Sequence, residues 1–439
     1  MSGSCEIILR VYNKEEFCAE SIYLGGNVMG YSIRMDRVKP SVIRSVQKRI
    51  ASKQGVISFA AGLSDPDLFP MDDLKKSTME MIEKKGKQAF QYGLSKGNPE
   101  LLQVLAERMQ KKEGVDAKPE NIVVTTGSQQ GLAMTAMLFL DEGDIVVAEN
   151  PSYLGGINAC RPYGCSFLGV DTDEDGIVIV DLERVLAENP KVKLLYVIPN
   201  FQDPTGRAWT LERRKQFMEV INCYDVVVVE DNPYGEIRFK GEHIPCLKSM
   251  DTMGKVIYLG SCSKILCPGL RVAWICASPE HAVMYERLKE SLDLQCNEFA
   301  QLQVVEYMKN YDVEGHIRKI QAAYKEKCDL MLSLMEENFP ASVKFTRPEG
   351  GMFIWVELPE GLDADGILDE AVEAGVAYIP GEFFYANDGA KNTMRLNFTT
   401  VSEEQIRKGI VLLADVLKKH AWCLFEVRLT IRRNQDGIG

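Results

Sequence analysis

The sequence lacks several features that would point to whole classes of protein. It has no run of about 18 apolar residues, which a membrane-spanning helix needs, and no signal-peptide pattern. Its 12 cysteines show no metal-ligand spacing, and its formal net charge of −12 is opposite to that of nucleic-acid-binding surfaces. We therefore expect no membrane segment, no metal site and no nucleic-acid partner. The scattered cysteines predict a reducing, cytoplasmic location.

Internal repeats and low-complexity segments are also absent. The 439 residues are enough for about two to three domains with a sizeable core. Strand and helix signals alternate over residues 70–310, which predicts an α/β domain with a large, mixed, mostly parallel sheet and helices on both faces. The signals that follow predict a smaller α+β domain. In chain order we predict an N-terminal extension (1–30, a candidate for disorder), an N-terminal arm that belongs partly to the small domain (31–69), a large cofactor-binding domain (70–310), a small C-terminal domain (311–420) and a tail (421–439).

Several elements of this plan can be predicted individually. The strand pattern at 272–276 follows the preceding strand too closely for a parallel crossover, so we expect it to be antiparallel. The predicted helices run over 41–52, 364–374 and 402–419, and the predicted strands of the small domain over 351–357, 376–379 and 393–398.

The most informative stretch runs from Ser261 to Arg271. It follows the apolar run 256–260, which predicts a buried strand, and it places Lys264 in a turn among hydroxyls and glycine. A lysine held among apolar strand ends can lose its proton and attack a carbonyl. Ser261, Ser263 and Arg271 supply the hydroxyl donors and the planar cation that a phosphate needs. A carbonyl and a phosphate on one small molecule describe pyridoxal 5'-phosphate; the alternative is a solvated lysine in an ordinary turn.

Other apolar runs are also followed by polar residues at their carboxyl ends, where open α/β sheets bind ligands. The run 225–230 ends at Asp231, whose carboxylate can keep a pyridinium nitrogen protonated and make the ring an electron sink. Tyr234 lies three residues on and can hydrogen-bond a ring hydroxyl. A further run leads into the loop that contains Asn200 and Asp203.

A Gly-Ser turn predicts the phosphate end of the same site. The strand pattern 121–125 enters this turn at Gly127 and Ser128, and an apolar run that suits a buried helix follows. Such a turn directs free backbone N–H groups toward an anion; the alternative is an ordinary helix N-cap by Ser128. The next strand pattern leads to Tyr153, which can stack on a planar ring or simply pack in the core.

Together these motifs resemble those of the class I and II aminotransferases of pyridoxal-phosphate-dependent fold type I, and within them the group of 2-aminoadipate and kynurenine aminotransferases. The resemblance covers roughly residues 34–419. Each motif alone is weak, but their order along the chain is specific. The motifs are Gly62-Leu63 with Leu68-Phe69-Pro70, Gln91-Tyr92-Gly93 with Gly97, Thr126 to Gln130, Pro151-Ser152-Tyr153, Asp203 to Gly206, Glu230 to Tyr234, the Lys264 stretch, Gly350 to Phe353, and Met394-Arg395-Leu396.

The resemblance implies roles for matching residues. Lys264 would form a Schiff base with pyridoxal 5'-phosphate and later move the substrate's α-proton. Asp231 would pair with the pyridine nitrogen, Tyr234 would bond the ring hydroxyl, and Tyr153 would stack on the ring. Tyr92 would reach the phosphate of the other subunit's cofactor, which implies a homodimer with shared active sites. The remaining phosphate-binding residues would be Ser128, Gln129, Ser261, Ser263 and Arg271.

The resemblance also implies a substrate site. Arg395 would bind the substrate α-carboxylate as a bidentate pair; the alternative is a structural salt bridge. Gly62 and Asn200 belong to the same predicted site. Arg44 lies where some members of the group contact a distal substrate carboxylate, although a surface helix arginine is the ordinary case.

One residue departs from the family's pattern. The family usually has asparagine where this chain has Asp203, and an ionised carboxylate cannot donate the amide's hydrogen bond to the cofactor's ring oxygen. Beside a phenolate, one of the two groups should take up a proton. Either the chemistry around the ring oxygen is retuned, or Asn200 takes over the contact.

The sequence therefore predicts a transaminase that moves an amino group from an α-amino acid to a 2-oxo acid, with 2-oxoglutarate as the expected acceptor. Two alternatives stay open. A pyridoxal-phosphate-dependent carbon–sulfur β-lyase would share the fold and the first half of the chemistry. A cofactor-sensing regulatory module would need a DNA-binding domain ahead of the sheet domain, where only about 30 unpatterned residues stand. The sequence does not name the preferred amino acid.

Overall fold

A computed structural model of the chain describes residues 30–39, 42–51 and 53–436. The predicted N-terminal extension therefore lies outside the described residues except for Gly30. The strands of the described part, in chain order, are β1 (Ile57–Ser58), β2 (Ile122–Thr125), β3 (Ile145–Asn150), β4 (Ser166–Asp171), β5 (Val192–Val197), β6 (Val227–Asp231), β7 (Val256–Ser261), β8 (Ala273–Cys276), β9 (Lys344–Phe345), β10 (Phe353–Glu357), β11 (Val376–Ala377), β12 (Ile379–Pro380) and β13 (Thr393–Asn397).

The largest sheet has seven strands in the order β2-β8-β7-β6-β5-β3-β4. β8 runs antiparallel to both of its neighbours, and the other pairings are parallel, so the predicted mixed, mostly parallel sheet is confirmed. The connection from β7 to β8 is short, as expected for an antiparallel neighbour. All six residues of β7 are buried, because helices cover both faces of this sheet.

The helices of the described part complete the α/β architecture. They are α1 (Ile33–Asp36), α2 (Val42–Ala51), α3 (Met71–Ala89), α4 (Pro99–Arg108), α5 (Ser128–Phe139), α6 (Leu154–Cys160), α7 (Ile179–Glu188), α8 (Leu211–Asn222), α9 (Pro279–Leu292), α10 (Glu298–Asn310), α11 (Val313–Asn338), α12 (Ala364–Ala374) and α13 (Glu403–Asp436). Their starts follow local rules: Thr210 caps α8 by accepting from the Arg213 N–H, and Ser278 caps α9 in the same way.

Two apolar clusters fill the two sides of the large sheet. On one side, α7 and α8 place Leu182 and Phe217 against Val147, Leu195 and Val228 of β3, β5 and β6. On the other side, α5 belongs to the cluster that continues into the rest of the molecule. Since side chains alternate along a strand, neighbouring residues of one buried strand serve both clusters. The carboxyl ends of the central strands are left open, and the candidate site lies there.

The C-terminal part has its own antiparallel sheet in the order β12-β13-β10-β9, in which Arg395 of β13 pairs with Trp355. β1 pairs in parallel with β11, so residues 57–58 join this part although they come early in the chain. The division into domains near residue 310 remains a proposal; it is supported by the break between α10 and α11.

The predicted elements of this part match the structure to within two residues at most of their ends, with two larger differences. The strand predicted over 376–379 is divided into β11 and β12, which belong to different sheets. The helix predicted over 402–419 continues as α13 to Asp436, because no glycine or proline interrupts residues 420–436 before Gly437. The predicted helix over 41–52 is α2, and the positions just beyond its ends lie outside the described residues.

Two further properties of the described ranges bear on function. Within residues 30–39, 42–51 and 53–436 we find no helix with both the length and the apolar character needed to cross a membrane. In the same part of the chain, no group of three or more His, Cys, Asp and Glu side chains is arranged to hold a metal ion.

Candidate active site

A cavity of about 300 Å³ opens at the carboxyl ends of the central strands. Most of the predicted site residues line it, although they come from distant parts of the chain. The predicted residues in its wall are Gly62, Ser128, Gln129, Tyr153, Asp203, Asp231, Tyr234, Ser261, Ser263, Lys264, Arg271 and Arg395.

Lys264 lies in the turn that follows β7. Its Nζ donates to the Gly62 carbonyl at 2.9 Å and lies 6.0 Å from the centre of the Tyr234 ring. Burial lowers the pKa of Lys264 from 10.5 to about 8, while Asp203 acts in the opposite direction. The side chain still reaches the cavity wall, so its neutral amine is available to a carbonyl compound in the cavity.

Asp231 ends β6 with a carboxylate that is only half satisfied. Its Oδ2 accepts from the Tyr196 hydroxyl at 2.9 Å, whereas its Oδ1 is buried and has no protein partner. Burial raises the pKa of Asp231 to about 7, and the nearby charge of Asp203 adds to this effect. A protonated ring nitrogen placed against Oδ1 would supply the missing donor and offset the cost of burial.

The turn from Gly127 into α5 forms one end of the cavity. Ser128 is the first residue of α5, and the N-cap position is Gly127, so the alternative of an N-cap by Ser128 does not hold. The Ser128 hydroxyl is buried and has no protein partner. Gly127 has φ +105°, and a Cβ there would lie 2.0 Å from Nη2 of Arg271. Only glycine therefore lets the turn approach the arginine this closely.

The same end of the cavity contains further hydrogen-bond donors. Arg271 Nη2 donates to the Thr126 carbonyl at 3.0 Å, and the hydroxyls of Ser261 and Ser263 lie 2.9 Å apart. A helix N-terminus, several hydroxyls and a guanidinium around one point match the needs of a phosphate group. The unpartnered Ser128 hydroxyl and Asp231 Oδ1, at separate parts of the cavity, fit the phosphate and the ring nitrogen of pyridoxal 5'-phosphate.

Two tyrosines border the space between these ends. Tyr234 is buried with its ring edge-on to Phe353, and burial raises the pKa of its hydroxyl well above the ordinary value. Tyr153 precedes α6, and burial raises its pKa to about 12. Both phenols therefore stay protonated near neutral pH and are able to donate a hydrogen bond.

Arg395 enters the cavity from β13 of the C-terminal sheet. Its Nη1 donates to Asp203 Oδ1 at 2.7 Å, and its Nη2 donates to the Ala60 carbonyl at 2.8 Å. The buried Nε has no protein partner. The structural salt bridge considered as the alternative for Arg395 is thus present, but it lies in the cavity wall, where the guanidinium also borders the space for a ligand.

Three predicted site residues are not in the cavity wall. Tyr92 is 78% exposed, and Arg44 is exposed on α2. Asn200 is buried away from the cavity: its amide nitrogen donates to Asn232 at 3.0 Å, and its oxygen accepts from Arg214 at 2.7 Å. With both ends of this amide engaged, the structure does not bring Asn200 to the place of Asp203.

Sequence reasoning missed two residues that belong to the site. Gln47 lines the cavity from α2, three residues after Arg44 on the same helix. Tyr196 holds Asp231 from the neighbouring strand β5. The helical spacing from Arg44 would have been a signal for Gln47, whereas an aromatic residue inside a buried strand is usually core.

Comparison with known proteins agrees with this geometry. The family model "Aminotransferase class I and II" matches residues 54–413. The chain is 44% identical over 386 residues to aromatic-amino-acid aminotransferase 1 of Thermococcus litoralis. The aligned region covers 87% of this chain and 92% of that relative.

Solved structures give the same result. The kynurenine aminotransferase of Pyrococcus horikoshii, in complex with PMP, KYN as substrates and KYA as products, superposes with a TM-score of 0.85 at 40% identity, over 89% of this chain and 97% of that one. The α-aminoadipate aminotransferase of Thermus thermophilus, complexed with N-(5'-phosphopyridoxyl)-L-leucine, gives a TM-score of 0.82 at 37% identity over the same shares of the two chains.

Proposed function

Because the chain belongs to the class I and II aminotransferases, we propose that Lys264, Asp231 and Arg395 carry the amino transfer in the cavity described above. The observation that carries this assignment is their convergence from three distant segments on one space of about 300 Å³. A reactive amine, a carboxylate with a free oxygen and a guanidinium are the three groups that transfer from an amino acid requires. The enzyme is a transaminase that uses pyridoxal 5'-phosphate.

The cofactor, when bound, supplies an aldehyde that condenses with amines and a ring that accepts electrons from the substrate's Cα. Asp231 would keep the ring nitrogen protonated through its free Oδ1, while Tyr196 holds the other oxygen in place. Tyr234 would donate a hydrogen bond from its hydroxyl to the ring oxygen. Ser128 and Arg271 would hold the phosphate, together with Gln129, Ser261 and Ser263, and Tyr153 would stack on the ring.

Lys264 would act as the base that moves the substrate's α-proton. With its pKa lowered to about 8 by burial, a useful share of the amine is neutral near physiological pH, and the protonated form can return the proton. A base whose pKa lies near the working pH serves both directions of a reversible transfer. The lysine's contact with the Gly62 carbonyl holds it at the cavity wall.

Arg395 would hold the α-carboxylate that the amino acid and the 2-oxo acid have in common. The guanidinium lies over the Phe353 and Phe384 rings, 4.2 and 4.9 Å from their centres, which fixes its plane and keeps water away from it. A fixed plane favours bidentate binding of a carboxylate. Gly62 lies beside this guanidinium, since a Cβ on it would lie 3.9 Å from Nη2, and the glycine leaves this space to the substrate.

The proposed donors are amino acids with aromatic or long side chains, and 2-oxoglutarate is the proposed acceptor. The names of the relatives above, which cover aromatic amino acids, kynurenine and α-aminoadipate, support this range. Leu63 is exposed and Gln47 lies on α2, and both line the cavity, where a long side chain would pass. A contact of Arg44 with a distal carboxylate stays a prediction.

We also propose a homodimer with shared active sites that works in the cytoplasm. One loop exposes three large side chains, those of Phe90, Tyr92 and Leu94. Leu294 is also exposed. It lies close to this loop, because the Gly93 N–H donates to the side chain of the next residue, Gln295. This apolar surface is the kind that a second subunit covers. The cytoplasmic location is supported by nine cysteines between Cys160 and Cys328, all of which are free.

A panel of amino acids with 2-oxoglutarate, read out as glutamate formation, tests the function. We expect turnover with aromatic amino acids and 2-aminoadipate, and a loss of at least about a thousandfold in Lys264→Ala. Lys215→Ala, which removes an exposed lysine on α8 outside the cavity, is the matched control. Without an acceptor, each subunit should release one equivalent of 2-oxo acid and then stop. Continuous release of ammonia would instead indicate the β-lyase alternative, and full activity of Lys264→Ala would refute the assignment.

A further inference from the structure

Asp203 and Arg395 form an ion pair in the wall of the cavity. The atoms Asp203 Oδ1 and Arg395 Nη1 are 2.7 Å apart, and only 4% and 1% of the two side chains are exposed. Asp203 lies in the loop after β5 of the large sheet, whereas Arg395 lies on β13 of the C-terminal sheet. The pair therefore connects the two sheets at the point where the substrate's carboxylate would bind.

The guanidinium of Arg395 has little freedom to leave this position. Its Nη2 is held by the Ala60 carbonyl, and two phenylalanine rings lie against it. A bidentate carboxylate needs two parallel N–H groups on one edge of the guanidinium. Asp203 already accepts from Nη1, so a substrate carboxylate that uses Nη1 meets Asp203 at the same nitrogen.

The charge of Asp203 acts throughout the cavity. It adds to the effect of burial in raising the pKa of Asp231, and it opposes the lowering of the pKa of Lys264. It also adds to the raised pKa values of Tyr153 and Tyr234. An incoming carboxylate would meet the same negative charge, and repulsion between like charges is stronger in a buried site than in water.

We propose that Asp203 competes with the substrate's carboxylate for Arg395 and thereby weakens the binding of both amino acid and 2-oxo acid substrates. This inference rests on the proposed role of Arg395. A bidentate substrate carboxylate either replaces Asp203 at Nη1 or uses the free Nε together with Nη2, and in both arrangements the charge of Asp203 opposes its binding. An asparagine at this position would keep an acceptor for Nη1 without the charge. Asp203 is then a determinant of substrate affinity.

Binding of glutarate to the holoenzyme tests this competition. Glutarate carries two carboxylates but neither an amino nor an oxo group, so it binds without reacting. By calorimetry we expect Asp203→Asn to lower the Kd of glutarate at least about tenfold. The KM for 2-oxoglutarate should fall by a similar factor while kcat changes less. Asp365→Asn is the matched control, because it removes the same charge from an ion pair with Arg49 outside the cavity.

The outcomes separate this inference from the proposed function. If Arg395→Gln weakens glutarate binding but Asp203→Asn leaves it unchanged or weaker, the competition is refuted and the role of Arg395 stands. If Arg395→Gln has no effect on glutarate binding, the proposed role of Arg395 itself fails. The melting temperature and cofactor absorbance of each variant report its folding, and Asp203→Ser serves as a second variant with a smaller uncharged side chain.

Discussion

The ionisation of Lys264 leads to a prediction about how pH controls the covalent attachment of the cofactor. Only the neutral amine attacks the aldehyde. Burial lowers the pKa of Lys264 from 10.5 to about 8, Asp203 opposes this shift, and Arg395 and Arg271 add to it. The neutral fraction therefore rises with pH up to about 8 and levels off above it. We expect the rate of attachment to follow the same curve.

The size of the effect follows from the two pKa values. At pH 7, a lysine of pKa 8 is neutral in about 9% of molecules, whereas a lysine of pKa 10.5 is neutral in only about 0.03%. At equal intrinsic reactivity, Lys264 should react about 300-fold faster than a solvated lysine at this pH. Between pH 6 and 7 its rate should rise about tenfold, and between pH 9 and 10 it should hardly change.

The assay mixes cofactor-free enzyme with pyridoxal 5'-phosphate over pH 6–10 and stops the reaction with borohydride at timed intervals. Peptide mapping then measures attachment at Lys264. A lysine amide in the same buffers corrects for the ionisation of the cofactor itself. A rate that goes on rising about tenfold per unit to pH 10, in parallel with this control, would refute a lowered pKa. Asp203→Asn should move the midpoint to lower pH, because the charge that opposes the shift is removed, whereas Asp365→Asn should not.

Two further predictions concern the phosphate end and the subunit contact. Gly127→Ala should weaken retention of the cofactor by at least about tenfold, since its Cβ would collide with Arg271; equilibrium dialysis measures this. Gly143→Ala, also at positive φ but in open space, should cost only about 1–2 kcal/mol of stability and leave cofactor retention unchanged. In sedimentation, Leu94→Glu should shift the dimer toward monomer, whereas Val180→Glu on α7 should not. A fully active wild-type monomer at assay concentration would contradict the proposed dimer.

Much of the fold was predictable because its signals are local. The continuous apolar runs of β6 and β7 indicate strands buried on both faces, and the polar residues after them indicate the ligand-binding edge. The antiparallel direction of β8 followed from the short connection after Lys264. The predicted end of α13 was too early because the family resemblance stops near residue 419. The helix itself continues to Asp436, because no glycine or proline interrupts it.

The composition of the candidate site was also largely predictable, because each residue is carried by a short motif. Lys264, Asp231 and Ser128 stand at the ends of strands or at the start of a helix, so their position follows from the local pattern. The motif around Arg395 indicated its identity as a site residue. The motif did not indicate which side chain of the protein would form an ion pair with the Arg395 guanidinium.

Only the tertiary structure decided the contacts between segments that are distant in sequence. Asp203 and Arg395 are 192 residues apart, and their pairing depends on how two separate sheets pack against each other. Tyr196 reaches Asp231 because β5 and β6 are neighbours in the sheet, and Asn200 is unavailable because Asn232 and Arg214 engage its amide. A sequence pattern indicates local conformation and burial. The partner of a buried charge depends instead on how distant segments pack together, and a pattern of neighbouring residues contains no information about that packing.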